Sequence, residues 1–326
     1  MNGTRAEMEK RKRTTPILPQ PLRPGDTVGL CSPAGPIREP GRLQQGIDLL
    51  REAGFRIKTV RPPDQYAPEV YLAGPDSERL DELHRLWADD EVKAILAVRG
   101  GYGCLRLLPS LDFNFIRTRP KWLIGFSDLT VLLNTFYRET GLITLHGPSA
   151  HSLTGLDRDS VERFFTILGG SFPPMQSREL EILKPGRARG KLVGGNLSTL
   201  VHLLGTPWEV DLSGRILILE DTGEPPYRLD RMLTQLAMSR GFRELAGLVL
   251  GMFDPGHDDR LETLRLQEMV WQRVLELSHD LAFPIWAGLP FGHLDQNQAL
   301  PIGMEIEMDD LAGRLHFHPG SARQTG

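Results

Sequence analysis

The chain is 326 residues long, 40% hydrophobic and 25% charged, with a net charge of −4 and a pI near 6.2. That composition belongs to an ordinary soluble globular protein with room for two cores, and its mildly acidic balance argues against a nucleic-acid or anionic-membrane partner. Two cysteines, Cys31 and Cys104, are too few for a disulfide scaffold; no Cys-x-x-Cys pair serves zinc or redox chemistry, and no apolar run reaches a membrane span of roughly 18 residues.

Met1 to Arg13 is polar and carries Lys10-Arg-Lys-Arg13, with no apolar region behind it, so a solvated tail over 1–16 and a cytoplasmic protein are expected. Asp26 to Cys31 reads as a strand that ends in the small-residue loop Ser32-Pro-Ala-Gly35. A helix over Arg42 to Ala53 closes at Gly54, and a strand follows at Arg56 to Val60. Ser77 to Asp89 is helical, with Leu80, Leu83, Leu86 and Trp87 on one face. Val92 to Val98 is an apolar strand running into Arg99-Gly-Gly-Tyr-Gly103, and a short helix follows near Leu105 to Leu108. Trp122 to Phe126 is a further buried strand. At that point the period changes, and Leu129, Leu132, Leu133 and Phe136 recur at helical spacing up to Gly141. Leu142 to Leu145 closes the series and runs into His146-Gly-Pro148. Strands alternating with helices in this way predict a parallel sheet flanked by helices, in an α/β domain over 17–168. Ligands bind such sheets at the carboxyl ends of the strands, where the loops after Cys31, Val98, Phe126 and Leu145 would converge.

The stretch 169–189 is punctuated by Gly169-Gly170, Pro173-Pro174 and Pro185-Gly186 and reads as a linker. Residues 190–326 are richer in strands, at Gly190 to Val193, Arg215 to Glu220, Leu245 to Met252, Ile285 to Leu289, Ile302 to Met308 and Arg314 to His318. Helices fall at Asn196 to Leu204, Arg228 to Ser239 and Leu261 to Ser278. A smaller mixed, β-rich domain is the expectation.

Ser127 stands where a strand becomes a helix, beside free N–H groups that favour negative charge. A nucleophilic serine needs that setting, because the oxyanion it generates must find donors in place. The pattern is related to the nucleophile elbow, although Leu129 replaces the final glycine of Gly-x-Ser-x-Gly. Ser127 or Asp128 could equally serve as a helix cap. A serine nucleophile also needs a base and an orienting acid. Of nine histidines, His146 and His293 lie at strand ends beside glycine, whereas His84, His202 and His279 sit on or at the ends of helices. His257, or the pair His316 and His318, could form a metal site, without the usual ligand spacing. Glu220 closes the apolar strand Arg215 to Leu219, either as a helix N-cap, ion-paired to Arg228 or Arg231, or orienting an imidazole. Gly100 and Gly101 let backbone N–H groups approach a ligand; as a dinucleotide fingerprint the loop fails, because Arg106 occupies the third glycine position.

Eight segments in register resemble the serine LD-carboxypeptidase family (peptidase family S66), which includes muramoyl-tetrapeptide carboxypeptidases and microcin C immunity proteins. They are Ser32-Pro-Ala-Gly35, Arg99-Gly-Gly-Tyr-Gly103, Ile124-Gly-Phe-Ser-Asp128, His146-Gly-Pro148, Gly194-Gly-Asn-Leu197, Leu217-Ile-Leu-Glu-Asp221 with Glu224-Pro-Pro-Tyr227, Arg231-Met-Leu-Thr-Gln-Leu236 and Gly288-Leu-Pro-Phe-Gly-His293. The resemblance implies a flavodoxin-like N-terminal sheet and a barrel-like C-terminal domain. It also implies a triad of Ser127, Glu220 and His293, with oxyanion or substrate contacts from Gly100, Gly101, Asp128 and Asn196. No cofactor or metal is implied. The implied assembly is a homodimer acting on a murein tetrapeptide, releasing its terminal D-alanine by cleaving an L,D-amide. An immunity hydrolase that cleaves an aminoacyl-nucleotide amide is the alternative, although no long insertion for a nucleobase interrupts Glu220 to His293.

Overall fold

The computed structural model of the chain describes residues 15–61 and 71–324, so the Lys10-Arg-Lys-Arg13 cluster lies outside the described residues. The first half contains β1 (Ile17–Leu18), β2 (Thr27–Cys31), α1 (Pro40–Glu52), β3 (Arg56–Thr59), α2 (Asp76–Ala88), β4 (Val92–Ala97), α3 (Cys104–Leu107), α4 (Phe113–Thr118), β5 (Trp122–Gly125), α5 (Thr130–Thr140), β6 (Thr144–His146) and α6 (Arg158–Leu168). Proline in the first turn opens α1, which buries Leu43, Ile47 and Leu50. The helix α5 stops at Gly141, whose φ of 79° is a left-handed conformation glycine adopts without strain. Two helices absent from the sequence expectation, α4 and α6, begin at Asp112 and Asp157, whose carboxylates accept the first free N–H groups.

Strands β3, β2, β4, β5 and β6 pair in that order and in parallel, a doubly wound sheet. The second half supplies β7 (Glu181–Lys184), β8 (Ala188–Asn196), α7 (Leu197–Val201), β9 (Arg215–Thr222), α8 (Pro226–Ala237), β10 (Gly247–Asp254), α9 (Arg260–Leu277), β11 (Ile285–Ala287), β12 (Leu300–Ile302), β13 (Glu305–Asp309), β14 (Arg314–His318) and β15 (Arg323–Gln324). Its seven-stranded sheet, in the order β14-β13-β8-β9-β10-β11-β7, curls into a half-barrel. Four central strands, β8 to β11, are parallel, and the flanking ones are antiparallel.

The halves exchange strands. The segment expected as one strand over Ile302 to Met308 divides at Gly303: β12 pairs antiparallel with β6 of the first sheet, and β13 joins the second. Within the stretch read as a linker, β7 forms an edge of the second sheet against β11. Trp87, Trp122 and Phe136 in the first half and Trp286, Phe253 and Phe291 in the second belong to one continuous buried core.

One buried cation ties together the loops at the rim of the first sheet. Arg79, fully buried on α2, donates to the carbonyls of Gly74, Pro33 and Gly103 and pairs with Asp76. Removing it strands buried acceptors that no water reaches. We expect Arg79→Ala to destabilise the fold by about 3–5 kcal/mol, which the urea midpoint will report; a loss within error would mean the loops hold themselves.

Candidate active site

The strand β5 is buried along its length, and Phe126 continues it in extended conformation before a 3₁₀ turn at Ser127–Leu129 leads into α5. Ser127 has φ 62° and is the single non-glycine residue with positive φ among the described residues. Such a conformation costs about 1–3 kcal/mol and persists only where its surroundings enforce it. Neither Ser127 nor Asp128 caps the helix, since the N-cap of the turn is Phe126 and that of α5 is Leu129. Asp128 instead turns inward, where its Oδ2 accepts from the Cys104 N–H at 2.8 Å, and burial raises its pKa. Among the described residues the Ser127 hydroxyl has no hydrogen-bond partner, and it stands at a strained bend. This feature is the one Gly-x-Ser-x-Gly encodes, reached here with Leu129 in place of the last glycine.

Gly100 fits against this bend. A methyl group there would stand 2.8 Å from Ser127 Cβ and 3.0 Å from its Oγ. We expect Gly100→Ala to lower kcat by about 100-fold with little change in melting temperature, because the new methyl displaces the hydroxyl rather than the core. Single-turnover kinetics beside a thermal melt will check it; an unaltered kcat would show that the loop yields.

Of the expected oxyanion donors, the backbone N–H groups of Gly101 and Asp128 donate to no described residue. The loops after β2, β4, β5 and β6 meet here as expected: Gly35 N donates to Gly100 O at 3.0 Å, Gly147 N to Gly125 O at 3.0 Å, and His151 N to Val98 O at 3.0 Å.

The second sheet supplies the ionisable pair. Glu220, fully buried near the carboxyl end of β9, accepts at Oε2 from His293 Nδ1 at 2.8 Å. Gly292, with φ 113°, lets the loop pass over the carboxylate, where a Cβ would come within 2.8 Å of Glu220 Oε2. Asn297 Oδ1 holds the Gly292 N–H at 3.1 Å. Burial pushes the Glu220 carboxyl upward, but the charge and hydrogen bond of His293 outweigh it and leave the pKa below its ordinary value. For His293, burial pulls down, the charge and hydrogen bond of Glu220 push up, and the pKa ends above 6.5. With Nδ1 committed to Glu220, Nε2 is the nitrogen left for chemistry. The His293 ring lies 4.8 Å, centroid to centroid, from that of Phe126, the neighbour of Ser127. Residues from three distant stretches of chain are thereby brought together, and the ion pair of Glu220 with Arg228 or Arg231 does not form; Arg228 bonds Glu224 instead.

Asn196, expected at the oxyanion or substrate contacts, is placed at the seam of the two sheets. It is 4% exposed, its Oδ1 accepts from Thr199 N and Ser198 Oγ, and its Nδ2 donates to Asp221 Oδ1 at 3.2 Å. Its backbone N–H takes Thr130 Oγ1 of α5 at 3.0 Å, so Asn196 fastens the two halves together. The side chain that caps α7 thus also ties β8 to the acidic end of β9, where its amide hydrogen-bonds Glu220 as well and helps hold that carboxyl below its ordinary value. Asp221, which sequence reasoning passed over, anchors this knot by accepting from Ser198 N and Thr222 N. Burial beside the Glu220 charge raises its pKa to about 7.

His146 is not in a loop but is the fully buried last residue of β6, and burial lowers its pKa to about 4. It packs edge-on to Phe126 and Phe291 and stays neutral. His257 is exposed, 3.3 Å from Glu262, and His318 faces Glu307. Among the described residues no group of three or more His, Cys, Asp or Glu side chains is placed to hold a metal ion, and no helix is long and apolar enough to cross a membrane.

Comparison with known proteins identifies the family. The profile for the LD-carboxypeptidase N-terminal domain matches residues 28–147, and that for the C-terminal domain matches residues 189–308. The chain is 37% identical to the "probable murein peptide carboxypeptidase" of Bacillus subtilis, across 89% of this chain and 91% of that protein. It is 38% identical to the murein tetrapeptide carboxypeptidase of Pseudomonas aeruginosa, across 72% and 78% respectively. A solved structure of the microcin C7 self-immunity protein MccF, in complex with aspartyl sulfamoyl adenosine, superposes with a TM-score of 0.81 at 26% identity, across 94% of this chain and all of that one.

Proposed function

Because the chain belongs to the LD-carboxypeptidase family S66, we propose that it releases the terminal D-alanine of a murein tetrapeptide through Ser127, His293 and Glu220. The observation that carries this reading is the free Ser127 hydroxyl on a left-handed bend, in a chain whose Glu220 and His293 form a buried pair.

In this mechanism His293 Nε2 takes the hydroxyl proton as Ser127 Oγ attacks the amide carbonyl. The Gly101 and Asp128 N–H groups receive the oxyanion. His293 returns the proton to the departing amine, the C–N bond breaks, and D-alanine leaves an ester on Ser127. Water, losing its proton to His293, then cleaves that ester and restores the serine. Glu220 fixes the tautomer throughout and balances the imidazolium.

The aminoacyl-nucleotide reading draws on the likeness to MccF. Against it, the tryptophans between Glu220 and His293 are used in packing: Trp286 is fully buried and Trp271 lies partly buried against the core. We place the enzyme in the cytoplasm as a homodimer, which light scattering on the purified protein will test.

The deciding experiment incubates the protein and its Ser127→Ala variant with a murein tetrapeptide and follows D-alanine by mass spectrometry. Release by the wild type alone is expected. No release, together with cleavage of an aminoacyl sulfamoyl nucleoside, would move the substrate to the second reading.

A further inference from the structure

A carboxypeptidase must tell a free terminal carboxylate from a continuing chain. Taking that carboxylate out of water beside the nucleophile requires a cation with donors to spare. Arg99 immediately precedes Gly100, and Gly100 abuts Ser127. Its side chain is partly buried and reaches across to the loop after β2. Nη1 donates to Pro36 O at 3.1 Å and would lie 3.7 Å from a Cβ on Gly35. Gly35 in turn bonds Gly100 O, so the guanidinium is held over the loop pair that borders the Ser127 bend.

A guanidinium has five N–H donors, and among the described residues a single one of those on Arg99 is used. No carboxylate lies within ion-pairing distance of Arg99 among the described residues. The charges that act on it are Arg38 and Glu39, and Glu39 Oε1 lies 3.7 Å from His151 Nε2. Burial, and next the charge of Arg38, lower the pKa of Arg99, while Glu39 opposes them. The spot therefore has a guanidinium with unspent donors and reduced access to water, on the residue that precedes the glycine abutting the proposed nucleophile.

We propose that Arg99 binds the substrate's terminal carboxylate and is the specificity-determining residue of the leaving-group subsite. This inference rests on the peptidase reading given above. It assigns to one side chain the difference between a carboxypeptidase and an endopeptidase on the same scaffold.

The test compares wild type, Arg99→Gln and Arg99→Lys on a tetrapeptide ending in D-alanine and on the same peptide ending in D-alaninamide. The wild type is expected to prefer the free acid. In Arg99→Gln, kcat/KM for the acid should fall by roughly 10–100-fold, mainly through KM, while turnover of the amide stays unchanged and the preference collapses. Arg99→Lys should keep part of it, because the charge remains and the fork is lost. An Arg99→Gln enzyme that retains the full preference, or that loses both substrates equally, would overturn the assignment of Arg99 alone. A wild type that releases neither D-alanine nor D-alaninamide would overturn the peptidase reading and this inference with it.

Discussion

Ser127→Ala and Ser127→Gly are both expected to abolish D-alanine release, and the glycine variant is expected to be the more stable of the two. The activity loss should be at least about 10⁴-fold in kcat/KM, as for other serine nucleophiles removed from a triad. The stability difference follows from the backbone. At φ 62° a residue with a Cβ has a left-handed cost of about 1–2 kcal/mol. Glycine escapes it but loses about 0.4–1 kcal/mol more chain entropy on folding than alanine, so the balance favours glycine by roughly 0.5–1 kcal/mol. Paired denaturant titrations of the two inactive variants read this difference without interference from catalysis. A glycine variant no more stable than the alanine variant would mean that the bend relaxes once the hydroxyl is gone.

Glu220→Gln should lower kcat/KM by about 10⁴-fold and move its pH dependence. The neutral form of His293 is the one that accepts the serine proton, so activity rises with pH through the His293 pKa. Burial lowers that pKa, and the charge and hydrogen bond of Glu220 more than restore it, to above 6.5. Glutamine removes the charge, so the acid limb of the profile should shift to lower pH even as the plateau falls. Glutamine can also donate to Nδ1, which favours the tautomer with its proton on Nε2, the wrong nitrogen for a base. Stability should respond with the opposite sign on each side. The lowered Glu220 pKa contributes stability that is full above its ordinary 4.5 and lost as pH falls through the folded value. The raised His293 pKa contributes stability that is full below 6.5 and lost as pH rises through the folded value. The pair therefore helps most between those two ordinary values, and the variant should lose that maximum. A profile whose acid limb stays in place would separate Glu220 from the titration of His293.

The amino-acid order of this chain determines where strands become helices. The period change after Phe126, the alternation around β2, β4 and β5, and the stops at Gly54 and Gly141 all mark elements the structure contains. Side-chain periodicity records which face of a segment is apolar, and that depends on neighbours within a few residues. The helices α4 and α6 were legible by their Asp112 and Asp157 caps, yet each is short or follows a loop with mixed signals, and neither was expected.

The partners of strands are another matter. Leu300–Ile302 is three buried residues long, too short to have a period, and nothing local directs it to β6 in the other half rather than to the strand that follows it. The same holds for β7, read as linker because its exposed edge position leaves no hydrophobic alternation. At the site, residue types were readable and commitments were not. Glu220 and His293 are separated by 73 positions, and the pair exists because Gly292 lets one loop lie over the end of β9. Nothing local to Asn196 announces that its amide bonds Asp221, Ser198 and Thr199. The chain thus specifies its elements and its chemical groups through short-range pattern, whereas pairing, burial and protonation are set when distant segments close on a shared core.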